Sequence, residues 1–156
     1  MRSLVIYRSR YGNTERIAQA IAEGLSERGE ARSVALGDLR PRDLETAQLV
    51  VLGAPTQMKG MPLSMRRFLR RSPRASWFAR PVAVFDTRFR ADPSATGSAA
   101  ARLRARLRRR GALLLTPPES FFVAGIKGPL EEGELVRARL WGRRLHLSDR
   151  VCVEGE

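Results

Sequence analysis

Cysteine is nearly absent from this sequence: Cys152 stands alone among 156 residues. That excludes an internal disulfide framework, and Cys152 with the single histidine, His146, is too small a set for a Cys/His zinc site. Long hydrophobic runs are missing too, and nothing approaches the roughly 20 consecutive apolar residues that cross a bilayer, so no membrane span is expected. The opening stretch MRSLVIYRSR has four apolar residues in a row before Arg8 and no small-residue cleavage site after it. It reads as no secretory signal, and a cytoplasmic location is expected. Acidic residues are scarce, 16 against 29 basic ones, for a formal net charge of +13. The excess is spread, with 14 basic against 7 acidic residues in 1–78 and 15 against 9 beyond, so there is no basic tail. Lysine occurs only at Lys59 and Lys127. The rest is arginine, a bias that a GC-rich genome produces as readily as a binding task. Such a field draws anionic partners in a salt-dependent way.

What is present is a chain long enough to bury about 70% of its unfolded surface, sufficient for one domain over 1–156, with apolar residues that alternate between two periods. Leu4 to Tyr7 is a short run of strand formers, followed after a Ser/Gly/Asn loop by Ile17, Ala18, Ile21, Ala22 and Leu25 at helical spacing, ending at Gly29. Strands are also predicted over 32–36, 48–53 and 81–85, the second of these (QLVVLG) apolar enough to be buried on both faces. Pro62 suits a first helical position ahead of Met65, Phe68 and Leu69. The segment 94–98 caps a helix carrying Ala100, Leu103 and Leu107, which Gly111 ends. A fifth strand starts at Ala112 and resumes over 121–123 beyond Pro117 and Pro118, and a last helix from about Glu131 presents Leu135, Ala138, Trp141 and Leu145 on one side. Trp77 and Phe78 are expected to pack a loop onto the sheet. Five strands alternating with helices imply a parallel α/β sheet covered on both faces, with ligands beyond the carboxyl ends of the strands. The loops 8–14, 54–61 and 86–97 are then the places to search.

The first of these loops, Ser9-Arg10-Tyr11-Gly12-Asn13-Thr14, joins strand to helix. Backbone N–H groups at a helix start, hydroxyl and amide side chains, and about half a positive charge from the helix dipole make a cup for an anion. The two commoner phosphate cradles, G-x-x-x-x-G-K-[ST] and G-x-G-x-x-G after the first strand, do not occur. Nor do the C-x5-R loop of a small phosphatase or an acidic pair after strand one. No nucleophile paired with a base is readable.

The stretch VIYRSRYGNTERIAQAI, Val5 to Ile21, resembles the flavodoxin signature in its two apolar residues, Tyr7, Ser9, Gly12, Thr14, Ala18 and Ile21. GAPTQMKGMP, Gly53 to Pro62, is similar to the flavodoxin loop that lines one side of the flavin ring. FDTRFRADPSATGSAAARL with PESFFVAGIKGPLEEGEL resembles bacterial flavodoxin-like proteins with FDTR and GSAA segments after strand four. The resemblance covers almost the whole chain. It implies a flavodoxin-like three-layer sandwich on a five-stranded parallel sheet in the order 2-1-3-4-5, and a bound flavin mononucleotide (FMN). By position, it implies that Ser9, Arg10, Tyr11, Gly12, Asn13 and Thr14 hold the phosphate. Pro55, Thr56, Gln57, Met58, Lys59 and Gly60 approach the N5 edge and inner ring face, and Thr87, Arg88 and Phe89 the outer face and N1/O2 edge. Gly60 is the backbone implied to flip when N5 takes up a proton.

The departures from that family concern charge and aromaticity. Flavodoxins sandwich the ring between aromatics and surround it with acids; here the loops offer Met58, Met61 and Phe89, with arginines where acids stand. A guanidinium roughly 8 Å from N1 at an effective dielectric of about 20 favours the anionic reduced flavin by ~2 kcal/mol, or ~90 mV. A less negative potential than that of an acidic flavodoxin is expected if Arg88 or Arg90 lies near the ring. Met61 and Met65 also read as core filling, and Asp86 with Arg88 as an ion pair at a strand end. The run RLRARLRRR, 102–110, is either the solvated face of a covering helix or a docking surface for an acidic redox protein, an anionic membrane or nucleic acid. It lacks the interleaved aromatics of RNA stacking, which counts against nucleic acid. Three readings follow: an FMN electron carrier serving a redox partner protein, an FMN-dependent quinone-type reductase, and a cofactor-free fold used as a basic binding module.

Overall fold

The computed structural model describes residues 1–146; Cys152 lies outside the described residues. A parallel sheet runs in the order β2-β1-β3-β4-β5, with β1 at Arg2–Tyr7, β2 at Glu30–Ala35, β3 at Leu49–Pro55, β4 at Pro81–Phe89, and β5 at Leu113–Leu114. A sixth strand, β6 (Glu119–Val123), also pairs with β4. The fifth position is thus shared: β5 pairs with Pro81 and Val82, and β6 with Phe85 to Phe89. The Pro117-Pro118 pair between them supplies no N–H to a ladder, so the expected fifth strand is split into two. β4 is longer than the apolar run PVAVF indicates, because β6 pairs with its polar end; residues 87–89 are strand, not loop.

Helix α1 (Asn13–Leu25) and α6 (Glu134–Arg144) cover one face; α2 (Pro41–Thr46), α3 (Leu63–Arg71) and α5 (Ala99–Arg109) cover the other, and α4 is the short Pro93–Thr96 segment. Two cores result. On the α3/α5 side, Leu4, Ile6, Val50, Leu52, Met65, Leu69, Leu103 and Leu107 share one core with Trp77, which meets Phe68 edge-on at 6.0 Å. On the α1/α6 side, Phe85, Phe121 and Trp141 form a three-ring cluster with centroids 6.0–6.3 Å apart. β3 is buried along nearly its whole length, as its composition requires. Phe78, in contrast to Trp77, is 64% exposed. α2 has no apolar stripe to announce it; Pro41 in its first turn and Asp43, whose carboxylate accepts from the Arg40 N–H at 2.9 Å, set its start. α6 starts at Glu134 rather than Glu131 because Gly133, at φ 85°, forms the N-cap. No helix among the described residues is long and apolar enough to cross a membrane.

Glu134 fastens α6 to β6. Its buried carboxylate accepts from the Phe122 N–H at 2.8 Å and from Arg137, which also reaches Glu119 at 2.8 Å and lies 4.4 Å over the Phe121 ring. Burial alone raises the Glu134 pKa, but the Arg137 and Phe122 bonds and nearby guanidinium charges outweigh it, and the net shift is downward. A carboxylate with a depressed folded pKa contributes stability that is complete above its unfolded value, about 4.3, and disappears as pH falls through the folded value. Glu134→Gln is therefore expected to lose about 2 kcal/mol at pH 7. Denaturant unfolding at pH 7 and at pH 3 checks this: the gap between variant and parent is smaller at the lower pH.

Candidate functional site

The first loop folds around one hydroxyl. Ser9 Oγ accepts from the Gly12 N–H at 3.1 Å and the Glu15 N–H at 3.3 Å, and Gly12 turns the chain into α1 at φ 92°. A Cβ at Gly12 would meet nothing within 4 Å, so glycine is required there for its backbone and not for space. Asn13 and Thr14 open the helix, and among the described residues no acceptor meets their N–H groups. Two orphan donors at a helix start are the anion cup the sequence suggests. Thr14 Oγ1 bonds Thr87 Oγ1 at 2.8 Å, both residues buried, which joins the loop to the end of β4. Asn13 Nδ2 donates to Lys127 O at 3.2 Å and brings in the segment after β6. Under the loop, Tyr7 donates to Glu15 at 3.1 Å; burial first, and then that bond and charge, raise its pKa and keep it protonated.

The second loop closes on itself. Gln57 and Gly60 exchange two backbone hydrogen bonds, 2.7 and 2.9 Å, around a turn whose central residues, Met58 and Lys59, stand at φ 48° and 66°. The left-handed backbone therefore falls on Met58 and Lys59 rather than on Gly60, whose N–H and C=O are both engaged. Gly97, at φ 73°, lies so close to this turn that a Cβ would sit 2.1 Å from Lys59 O. Thr56 Oγ1 accepts from the Ala99 N–H at 3.1 Å. The 55–60 and 95–99 segments are thereby joined.

Between these loops lies a cleft of about 480 Å³, of small-molecule size. Of the residues expected at a site, Arg10, Tyr11, Asn13, Thr14, Pro55, Thr56, Gln57, Met58, Thr87, Arg88 and Phe89 line it together. Ser9 and Gly12 shape the loop behind it, and Lys59 and Gly60 complete the turn without lining it. Met61 and Met65 are buried in the core. Four more residues line the cleft: Ala95 and Thr96, within the 86–97 loop, and Val123 and Ile126, which lie outside all three loops singled out in the sequence. Val123 and Ile126 arrive through the pairing of β6 with the far end of β4, a long-range event that leaves no local pattern. Tyr11, Met58, Phe89 and Ile126 are half of the eight large apolar side chains left exposed among the described residues, and all four rim this cleft. Such a cluster marks a ligand surface.

The two arginines after β4 part company. Arg88, its side chain only 10% exposed, bonds Ser120 Oγ at 2.9 Å, Ala91 O at 2.8 Å and Thr96 Oγ1 at 3.3 Å, and lies 4.0 Å from Asp86. Arg90 turns away to Glu131, 3.0 Å, over the Phe122 ring, and does not line the cleft. Asp86 is buried; its Oδ2 accepts from Ser98 Oγ at 2.6 Å and the Ala100 N–H at 3.0 Å at the start of α5. The lining residues include no carboxyl, imidazole or thiol. His146 follows α6 beside Arg28 and Arg143, away from the cleft.

The cleft lies at the carboxyl ends of β1, β3 and β4, where doubly wound sheets bind ligands. Orphan N–H donors and an apolar rim on the same cleft suit a molecule with a phosphate tail and a flat ring. Comparison with known proteins gives the same answer. The family model described as Flavodoxin matches residues 5–85. Flavodoxin FldP of Pseudomonas aeruginosa is 36% identical over 86 residues, 51% of this chain and 44% of that protein, so the match spans less than half the relative's length. A flavodoxin structure from the domain Archaea superposes with a TM-score of 0.79 at 23% identity, covering 92% of this chain and 94% of that one. Oxidised Flavodoxin 1 from Bacillus cereus gives 0.74 at 23% identity, covering 98% and 99%. The fold is therefore shared along the chain, the family model spans just over half of it, and the chain belongs to the flavodoxin family of FMN-binding electron-transfer proteins.

Proposed function

We propose that the protein is an electron carrier that seats FMN in the 480 Å³ cleft and exchanges electrons with separate partner proteins. One observation carries this reading: the orphan N–H groups of Asn13 and Thr14 and the apolar rim of Tyr11, Met58, Phe89 and Ile126 border the same cleft. Bound FMN supplies one- and two-electron chemistry. The chain holds its phosphate on the 9–14 loop, with Ser9 and Gly12 shaping the cup and Arg10 adding charge. The 55–60 turn borders one side of the ring and Thr87, Arg88 and Phe89 the other.

The test has two stages. Titration of the apoprotein with FMN is expected to quench flavin fluorescence saturably; protein that ignores FMN overturns the reading. The FMN form is then expected to transfer electrons only when a separate reductase is supplied, whereas steady NAD(P)H turnover with a quinone by the protein alone establishes a reductase instead.

Arg88 sets the potential in this arrangement. Its fixed charge stabilises the reduced, anionic ring, and Asp86 at 4.0 Å offsets part of it. Arg88→Gln is expected to make the potential more negative by tens of millivolts, less than the ~90 mV of an uncompensated charge. Redox titration of the FMN form checks both sign and size.

A further inference from the structure

A recess of about 1070 Å³ lies away from the cleft, between α2 and α3. It exists because the β2–β3 crossover is short: α2 has six residues, about 9 Å of helix, and leaves the strip beside α3 uncovered. Leu36, Leu39, Leu44 and Phe68 form its apolar lining, and Arg40, Arg67 and Arg71 stand exposed around it. Arg80 is already engaged, donating to Leu44 O at 2.7 Å and Ala47 O at 3.0 Å.

The charge around this groove is predominantly basic: Arg8, Arg40, Arg67, Arg71 and Arg80 line it, against a single carboxylate, that of Glu45. Residues 46–85 and 93–118, which include α3 and α5, contain no Asp or Glu, yet the two helices carry nine arginines. Among the described residues none of the nine has a carboxylate within 4.0 Å, whereas on the opposite face Arg137, Arg139 and Arg143 pair with Glu119, Glu134 and Glu27. Recessed leucines inside an arginine rim are complementary to side chains that are apolar on one face and acidic on the other. A membrane surface is bound by projecting apolar groups and single-stranded nucleic acid by exposed rings for stacking; this groove offers neither, since Phe68 is turned against Trp77, and a duplex backbone would use the arginines but leave the recessed leucines without a partner.

We propose that the α2–α3 groove is the docking seat for an acidic amphipathic helix of a partner protein. Leucine-type side chains at i, i+3, i+4 and i+7 enter the groove, and flanking carboxylates pair with Arg40, Arg67 and Arg71. The inference is independent of the cofactor, because the groove shares no lining residue with the cleft.

The test uses a fluorescein-labelled 14-residue peptide with leucines at that spacing and glutamates elsewhere, read by fluorescence anisotropy at 150 mM salt against both apo and FMN-titrated protein. Saturable binding is expected, with R67E/R71E weakening it at least tenfold, Leu39→Ser at least threefold, and R106E/R109E, an equal change of net charge on exposed α5 positions, less than threefold. A scrambled peptide that breaks the leucine stripe is expected to bind at least tenfold more weakly. Equal losses in the two arginine variants, or equal binding of the scrambled peptide, overturn the proposal in favour of unspecific attraction. Tighter binding of phosphatidylglycerol vesicles or a polyuridine RNA through Arg67 and Arg71 overturns it in favour of those surfaces. Failure to bind FMN leaves the peptide result standing, so the two readings fall separately.

Discussion

Asn13→Asp is expected to remove most of the protein's preference for FMN over riboflavin. Asn13 is the first residue of α1, and its N–H and that of Thr14 are the donors left without acceptors among the described residues. A carboxylate there faces the phosphate that the cup is proposed to hold. Two unit charges ~5 Å apart at an effective dielectric of about 20 repel by ~3 kcal/mol, so FMN affinity falls roughly 100-fold. Riboflavin, which has no phosphate, is expected to change by less than about threefold. The fold itself has little reason to suffer. A carboxylate at a helix start gains ~0.3–1 kcal/mol from the dipole, and the lost bond from Asn13 to Lys127 O costs about 1 kcal/mol. Parallel fluorescence titrations of apoprotein with the two flavins, with a thermal melt of each variant, separate these effects. Equal weakening of both flavins places the phosphate elsewhere.

The parts of this site that were legible in the sequence are those built from one strand and the loop that follows it. Ser9 to Thr14 sit between a β-forming run and a helical period, and Pro55 to Gly60 follow the buried third strand; local order alone brings them to the same end of the sheet. What was not legible depends on pairing between distant segments. Thr87 to Phe89 look like loop because their residue types change from apolar to polar, yet β6 holds them in the sheet. The same pairing delivers Val123 and Ile126 to the cleft. Arg88 and Arg90, two residues apart on β4 and just beyond it, have no sequence feature that says which turns inward; Ser120 and Glu131 decide it. The α2–α3 groove is hidden for another reason. Periodicity reports which residues face the core, but not where a short crossover leaves space between helices.

The same limit applies to packing, where Gly24→Ala is expected to carry a large stability effect. On helix propensity alone the change gains about 1 kcal/mol, since glycine in a helix interior is that much worse than alanine. The structure opposes it. A Cβ at Gly24 would lie 2.1 Å from Arg139 O and 2.8 Å from the Arg143 nitrogen, and one at Gly142 would lie 2.3 Å from Ile21 O, so α1 and α6 meet backbone to backbone. No flexible side chain is available to yield. The helices have to separate, loosening Ile21, Ala138 and Trp141 and the ring cluster beneath them. Overpacking of this kind outweighs the propensity gain by ~3 kcal/mol, which for a domain of this size lowers Tm by roughly 6–12 °C. Gly133→Ala supplies the comparison: it has φ 85° but nothing within 4 Å of its Cβ, so only backbone strain of ~1 kcal/mol applies. Calorimetry on the two variants is expected to show the Gly24 loss at about three times the other. A Gly24→Ala protein melting above its parent means that α1 and α6 do not meet at this glycine.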